Sequence, residues 1–255
     1  MRSRKPAAVL SVLAAAGALA ALGAGGVTTE TATAGSPPTL PQGSEPVELD
    51  PAQFTSEITN PYWPMSPGTK WVYKEIDDRG NHVRVEVVVK RRTYTISNGI
   101  EARVVRDVVR ENGEPIEKTD DWYAQDSAGN IWYLGEDTAE YENGKAVSKS
   151  GSFEHGVDGA FAGVIMPADP QPGMRYRQEY YEGEAEDEAE ILSLDEKVEV
   201  PTGYHPHALM TKDLVPLEPK VSEHKFYVKG IGPVLTLDIS GGTGREELVV
   251  FREAR

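Results

Sequence analysis

The chain has 255 residues, of which 39% are hydrophobic, with a formal net charge of −15 and no cysteine. This apolar content supports one or two folded domains and excludes wholesale disorder. The negative charge disfavours binding to nucleic acid or to anionic membrane surfaces. The lack of cysteine excludes disulfides, thiolate metal sites, cysteine nucleophiles and lipid attachment through an N-terminal cysteine.

The first 34 residues have the pattern of an export signal. A basic start at positions 2–5 precedes an apolar run that extends through Ala24, and Ala32-Thr33-Ala34 fits a small-x-small cleavage site. We predict a signal peptide over residues 1–34, with cleavage after Ala24 as an alternative. A retained membrane anchor is disfavoured because no basic cluster follows the run. The mature protein is then secreted, extracellular or associated with the cell wall, and has no membrane span.

Residues 35–59 are rich in proline, serine and glycine and show no periodic apolar face. Proline fixes φ and removes a backbone donor, so this composition predicts a flexible linker. No later proline- or glycine-rich stretch is long enough to divide the remainder. We therefore predict a single domain over residues 60–255.

Alternating apolar residues dominate the chain from Gly68 onward. Trp71 and Tyr73 share one strand face, and four valines alternate with mostly polar residues between His82 and Arg91. The dipeptides at 98–99, 112–113 and 143–144 are Asn-Gly, which suits tight hairpin turns. The sequence predicts an all-β domain built from an antiparallel sheet.

The opening of this domain also carries a family resemblance. Residues 60–73 contain the pattern Pro-x-x-Pro-Gly-x-x-Trp-x-Tyr, and residues 223–234 end in a Gly-x-Gly turn. Both segments resemble a family of uncharacterised exported bacterial proteins, over roughly residues 60–250. The resemblance implies a single curled sheet, similar to the half-barrel or open barrel of periplasmic lipoprotein carriers. It supplies no substrate or catalytic residue. The Gly-rich segment 152–167 is then expected to form a loop across the open side.

The run 182–190 is dense in carboxylates. Calcium prefers several oxygen ligands, and exported proteins meet this ion at high concentration. We predict a weak calcium site and no other cofactor. The alternative is a solvated acidic edge that prevents edge-to-edge aggregation. The candidate metal ligands are Glu184, Glu186, Asp187 and Glu188.

The function predicted from this fold is non-catalytic binding or transport of an apolar or amphipathic small molecule in the concave face, by a monomer. Aromatic side chains could stack on such a ligand, although they could also be simple core residues. The competing hypothesis is an extracellular hydrolase that uses carboxylates of the 182–190 run and His155. The usual nucleophile motifs are absent from the sequence. The candidate ligand-binding residues are Trp122, Trp132, Tyr180, Tyr181, His155 and Asp158.

Overall fold

The computed structural model describes residues 40–76 and 80–254, so the predicted signal peptide lies outside the described residues. Within them the helical structure is a 3-10 turn at Pro51–Gln53, and no described helix is long and apolar enough to cross a bilayer. The strands are β1 (Phe54–Thr55), β2 (Lys70–Ile76), β3 (His82–Thr95), β4 (Glu101–Glu111), β5 (Glu114–Asp126), β6 (Ile131–Glu142), β7 (Lys145–Ser148), β8 (Phe153–Glu154), β9 (Phe161–Met166), β10 (Arg175–Tyr181), β11 (Ala185–Val200), β12 (Gly203–Leu214), β13 (Ser222–Val228), β14 (Gly232–Ser240) and β15 (Arg245–Arg252). The all-β, antiparallel prediction is confirmed.

Two of the predicted Asn-Gly turns produce hairpins by the expected backbone conformation. Asn112 and Gly113, between β4 and β5, have φ values of 52° and 94°. Asn143 and Gly144, between β6 and β7, have φ values of 51° and 76°. Positive φ at both central positions matches the twist of the flanking strands, which is why these dipeptides join neighbouring strands.

The predicted half-barrel is wrong, because the sheet closes on itself. Following the hydrogen-bonded neighbours from β5 through β4, β3, β2, β15, β14, β13, β12, β11, β10, β9 and β6 leads back to β5. These twelve described strands therefore form a closed barrel. The first long strand closes against the last, with Trp71 opposite Phe251, and β6 pairs with β9. Closure removes the long free edges that a half-barrel would expose.

The segment 152–167 also differs from its prediction as a loop over an open side. Its second half is β9, a wall strand in which Ala162 pairs with Glu179 of β10 and Gly163 pairs with Tyr133 of β6. Every residue from 162 to 166 is buried. An unbroken apolar run of this length suits a strand covered on both faces, so Gly163 serves strand packing rather than loop flexibility.

Gly163 is the tightest point of this wall. A Cβ atom at this position would lie 2.3 Å from the carbonyl oxygen of Arg177. We expect Gly163→Ala to lower the free energy of unfolding by about 2 kcal/mol, because the clashing atom belongs to the backbone of β10 and cannot rotate away. Chemical denaturation of the variant measures the loss. An unchanged midpoint would contradict this close packing of β9 on β10.

The part of the predicted linker that the structure describes packs against the barrel. The Arg177 backbone N–H donates to Pro41 O at 2.7 Å, and its guanidinium donates to the carbonyls of Gly43 and Glu45. Further along, β1 pairs with β5. The chain between Pro41 and Thr55 is thus bound to the barrel wall in this structure.

The next segment covers one end of the barrel. Ile58, Trp63 and Met65 are buried, and Met65 N donates to the carbonyl of Ile58. The Trp63 ring contacts Tyr123 and Tyr227, with ring centroids 5.8 Å and 6.1 Å away. Large aromatic side chains therefore fill the interior at this end.

Candidate ligand site and acidic barrel interior

The two predicted tryptophans lie on the outer face of the barrel and are used in packing. Trp122 stacks on Tyr94 with ring centroids 4.2 Å apart. Trp132 meets Phe54 edge-on at 6.1 Å, and its indole N–H donates to Asp126 Oδ2 at 2.8 Å. Both tryptophans are buried. Tyr94 of β3 covers Trp122, whereas Phe54, which lies in the predicted linker, covers Trp132.

His155 and Asp158 lie close in sequence but in different environments. His155 is buried, and its Nδ1 accepts a hydrogen bond from Ala162 N at 3.2 Å. Burial, followed by the charge of Arg177, lowers the pKa of His155. Asp158 is exposed in the turn between β8 and β9. Their positions do not bring an acid and a base together.

The acidic run is divided between the two faces of β11. Glu186 and Glu188 point outward, whereas Asp187 is buried on the inner face, since successive side chains of a strand alternate. Glu184 lies in the turn before the strand. Across residues 40–76 and 80–254, no three acidic or histidine side chains are placed to share one metal ion. Calcium binding by this run stays a prediction.

The tyrosines of β10 are divided in the same way. Tyr180 pairs with Glu186 and stacks on Phe161 at 6.1 Å, while Tyr181 pairs with Ala185 on the other face. The structure does bring Tyr180, Glu186 and Glu188 together. They line a cavity of about 220 Å³ on the outer face beside Arg177 and residues 43–44.

A group of carboxyl residues that the sequence did not single out occupies the inner face. Pairs in register share this face, such as Asp121 with Glu136 and Asp213 with Glu223. We call seven of these residues, all buried, the interior acid cluster. They are Asp107, Asp121, Glu136, Glu179, Asp187, Asp213 and Glu223.

Tyr133 shows that the cluster holds protons. Its hydroxyl oxygen lies 2.9 Å from Asp121 Oδ1 and 2.8 Å from Glu136 Oε2. One hydroxyl donates one proton, so the second contact requires a proton on a carboxyl group. Burial, with the charge of Asp121 next, raises the pKa of Glu136 well above its usual value. Asp121 and Glu136 are therefore placed to hold one proton between them.

Lys225 is the buried lysine that faces these acids. Its Nζ lies 2.9 Å from Asp213 Oδ2 and 3.7 Å from Glu223 Oε2. The hydroxyl of Thr211 donates to the other oxygen of Asp213 at 2.6 Å. Burial works to lower the pKa of Lys225, but the two acids outweigh it and raise the pKa well above the usual value. Lys225 is charged, and it stabilises part of the cluster.

The remaining acids have no comparable partner among the described residues. Both carboxyl oxygens of Glu179 and one oxygen each of Asp107 and Glu136 are buried without a hydrogen bond. Burial is the first cause that raises the pKa of Asp121, Asp187 and Glu223 to about 7. The barrel interior is thus acidic and tightly packed, and its buried carboxyl groups favour the protonated form.

A larger cavity lies where the end of β15 meets the turn before β2. It measures about 690 Å³ and we call it the β2–β15 cavity. Gly68, with a φ of 104°, shapes the turn, and Ala254 N donates to Thr69 Oγ1 at 3.2 Å. The lining residues are Pro67, Gly68, Arg91, Phe251, Arg252, Glu253 and Ala254.

Two lining arginines have free guanidinium groups. Arg91 and Arg252 are exposed and have no ion pair within residues 40–76 and 80–254. The neighbouring Arg92 and Arg106 both contact Asp120. In a protein with a net charge of −15, two cations without an ion pair therefore line this cavity, together with the carboxylate of Glu253.

Sequence reasoning missed both features. The Pro-Gly pair at 67–68 belongs to the opening pattern of the domain, but its role in forming a cavity depends on the distant Phe251 and Arg252. The interior acid cluster could have been suspected from Asp107 and Asp121, which occupy alternate positions among apolar strand residues. The acids of this cluster come close together only through the strand register and the closure of the barrel.

Comparisons with known proteins give two solved structures of low similarity. The chain matches no family among those scanned and no curated protein. It is similar to a structure of a putative lipoprotein from Parabacteroides distasonis, at 14% identity and a TM-score of 0.41, covering 75% of this chain and 98% of the other. It is also similar to a β-barrel-like protein of a domain of unknown function from Brucella abortus, at 11% identity and a TM-score of 0.36, covering 74% and 100%. Membership of the family suggested by the Pro-x-x-Pro-Gly opening stays a prediction.

Proposed function

We propose that this chain is an exported, non-catalytic protein that binds or carries a small amphipathic molecule in the β2–β15 cavity. The observation that carries the proposal is the size of this cavity, about 690 Å³. Small-molecule sites in proteins span roughly 300 to 1,000 Å³ and combine apolar walls with a few polar groups. The cavity has both kinds of lining, in Phe251 and Arg252.

Packing favours this location over the barrel interior. Trp71, Tyr123 and Tyr227 are almost fully buried in the interior. Both oxygens of Glu179 are inaccessible as well. A ligand placed there would have to displace close-packed side chains, at a high cost in free energy. The β2–β15 cavity needs no such rearrangement.

The hydrolase hypothesis receives less support from the geometry. His155 uses Nδ1 to accept the N–H of Ala162, and the neighbouring charge that acts on it is that of Arg177 rather than of a carboxylate. A general base needs a free ring nitrogen within reach of a reacting proton. Binding without chemistry is the simpler function for these residues.

Native mass spectrometry of the protein purified from culture medium tests the proposal. We expect a population with extra mass that is lost on denaturation. Phe251→Ala should reduce this population, because it removes the aromatic wall of the cavity, whereas Tyr204→Ala, an exposed residue elsewhere, should not. Repeated recovery of the bare chain, with no compound in a metabolite library raising the melting temperature, would contradict the proposal.

A further inference from the structure

We propose that the β2–β15 cavity selects amphipathic anions, with an oxyanion head group held by Arg91 and Arg252 and an apolar body packed on Phe251. This rests on the proposed function and adds the chemical class of the ligand. The candidate head groups, carboxylate, phosphate and sulfate, share oxygens that accept charge-assisted hydrogen bonds from guanidinium donors.

The first argument is the distribution of charge around the cavity. Two basic side chains next to it have acidic partners: Lys70 pairs with Glu86 at 2.8 Å, and Arg92 contacts Asp120. Arg91 and Arg252 stay without an ion pair in the described part of the chain. Arg91 and Arg252 therefore bring two positive charges without an acidic partner to the lining of one cavity, which favours an anionic ligand there.

The second argument is the position of these two arginines. Arg252 of β15 pairs with Lys70 of β2, and Lys70 pairs in turn with Val88 of β3. Arg91 follows Val88 by three residues along β3. Both arginines line the β2–β15 cavity, one from each of the two strands that flank β2. The backbone below Arg91 is fixed, because Arg103 Nη1 donates to its carbonyl oxygen at 3.3 Å. This contact orients the end of β3 before any ligand arrives.

The third argument is the apolar surface beside these charges. Phe251 is only partly buried and lies 6.0 Å from Trp71, measured between ring centroids. Its contact with Trp71 anchors the ring while part of it faces the cavity. Pro67 and Ala254 add apolar atoms to the same lining. An anion with a short hydrocarbon body would use both surfaces at once.

Glu253 is the carboxylate among the seven lining residues, and it sets the charge balance. Two arginines and one glutamate give a local charge of +1, which favours a singly charged head group. Removing the glutamate charge should strengthen anion binding. This expectation would not follow if the arginines were ordinary solvated side chains.

Isothermal titration calorimetry of the full mature protein with sodium octanoate tests the inference, with octanol and sodium sulfate as comparison ligands. We expect octanoate to bind at least tenfold more tightly than octanol or sulfate at low salt. Arg91→Gln and Arg252→Gln should each weaken octanoate binding by about tenfold, the loss of one charge-assisted hydrogen bond. Glu253→Gln should tighten it. Arg84→Gln, an arginine on β3 outside the lining, is the matched control and should have no effect.

Different failures would have different meanings. Equal binding of octanoate and octanol, unchanged in both arginine variants but lost in Phe251→Ala, would overturn the anion preference and leave the proposed function intact. Sulfate binding as tight as octanoate binding would overturn the role of the apolar wall. No binding of any of the three probes would overturn this inference, while native mass spectrometry would still decide whether another small molecule is carried.

Discussion

Raising the pH from 5 to 8.5 is expected to lower the free energy of unfolding by at least about 4 kcal/mol, which is the contribution of a single carboxyl group whose pKa rises from about 4 to about 8 on folding. Burial raises the pKa of Asp121, Asp187 and Glu223 to about 7, and burial together with Glu75 raises the pKa of Glu246 to about 8. The same carboxyl groups titrate near about 4 in an unfolded chain. Between these values the folded protein binds more protons than the unfolded chain, so stability is complete below pH 4 and is lost as the pH rises through 7 to 8. Urea denaturation at a series of pH values measures the slope.

Variants identify the residues responsible for this slope. Glu179→Gln and Asp187→Asn should flatten the decline and raise stability at pH 8.5, because each removes a buried acid that must otherwise ionise. Glu186→Gln and Glu188→Gln, on the outer face of the same hairpin, are matched controls and should leave the slope unchanged. A wild-type protein whose stability rises steadily from pH 5 to 8.5 would show that the interior acids are ionised and compensated.

Lys225→Met should be the most damaging single substitution, with an expected loss of about 3–5 kcal/mol at pH 7.5. The variant leaves Asp213 and Glu223 buried without their cation, which lies 2.9 Å and 3.7 Å away in the wild type. The loss should be smaller at pH 5, because a protonated carboxyl group needs no counter-ion. Chemical denaturation of both proteins at the two pH values gives the comparison.

The double variant Lys225→Met/Asp213→Asn provides the control for that substitution. Removing the charge of Asp213 together with the lysine should recover much of the lost stability, since replacing both partners of a buried pair is far less costly than removing one. If Lys225→Met alone proves as stable as the wild type at pH 7.5, the lysine does not hold the cluster together.

Local pattern was enough to predict the class of fold, but not its closure. The alternating valines of β3 and the Asn-Gly turns at 112–113 and 143–144 each involve residues close in sequence. Closure instead depends on Trp71 pairing with Phe251 and on β9 joining β6. The run 160–166 is apolar on both faces, so it lacks the alternation that marks a half-exposed strand and was interpreted as a loop.

The candidate site was harder to predict than the fold, for a related reason. Trp122 and Trp132 are the residue types expected in a binding surface, yet Tyr94 and Phe54 cover them. Their environment depends on which segments pack on the outer face, and single-sequence reasoning does not supply this. The alternation of apolar and polar residues indicates which side chains of a strand face inward. It does not show that the start of β2 and the end of β15, which form the cavity, become neighbours in the folded chain.

The pairing of β2 with β15 also determines when this protein can complete its folding. Most neighbouring strands are joined by short hairpins and can form quickly, but Thr69 and Ala254, which meet beside that pairing, are 185 positions apart in the chain. Contacts of such long range slow folding. Until β15 has docked on β2, these two strands expose unpaired backbone groups to other chains. The slowest step of folding should therefore be the pairing of β15 with β2. Before this step the chain is most prone to aggregate.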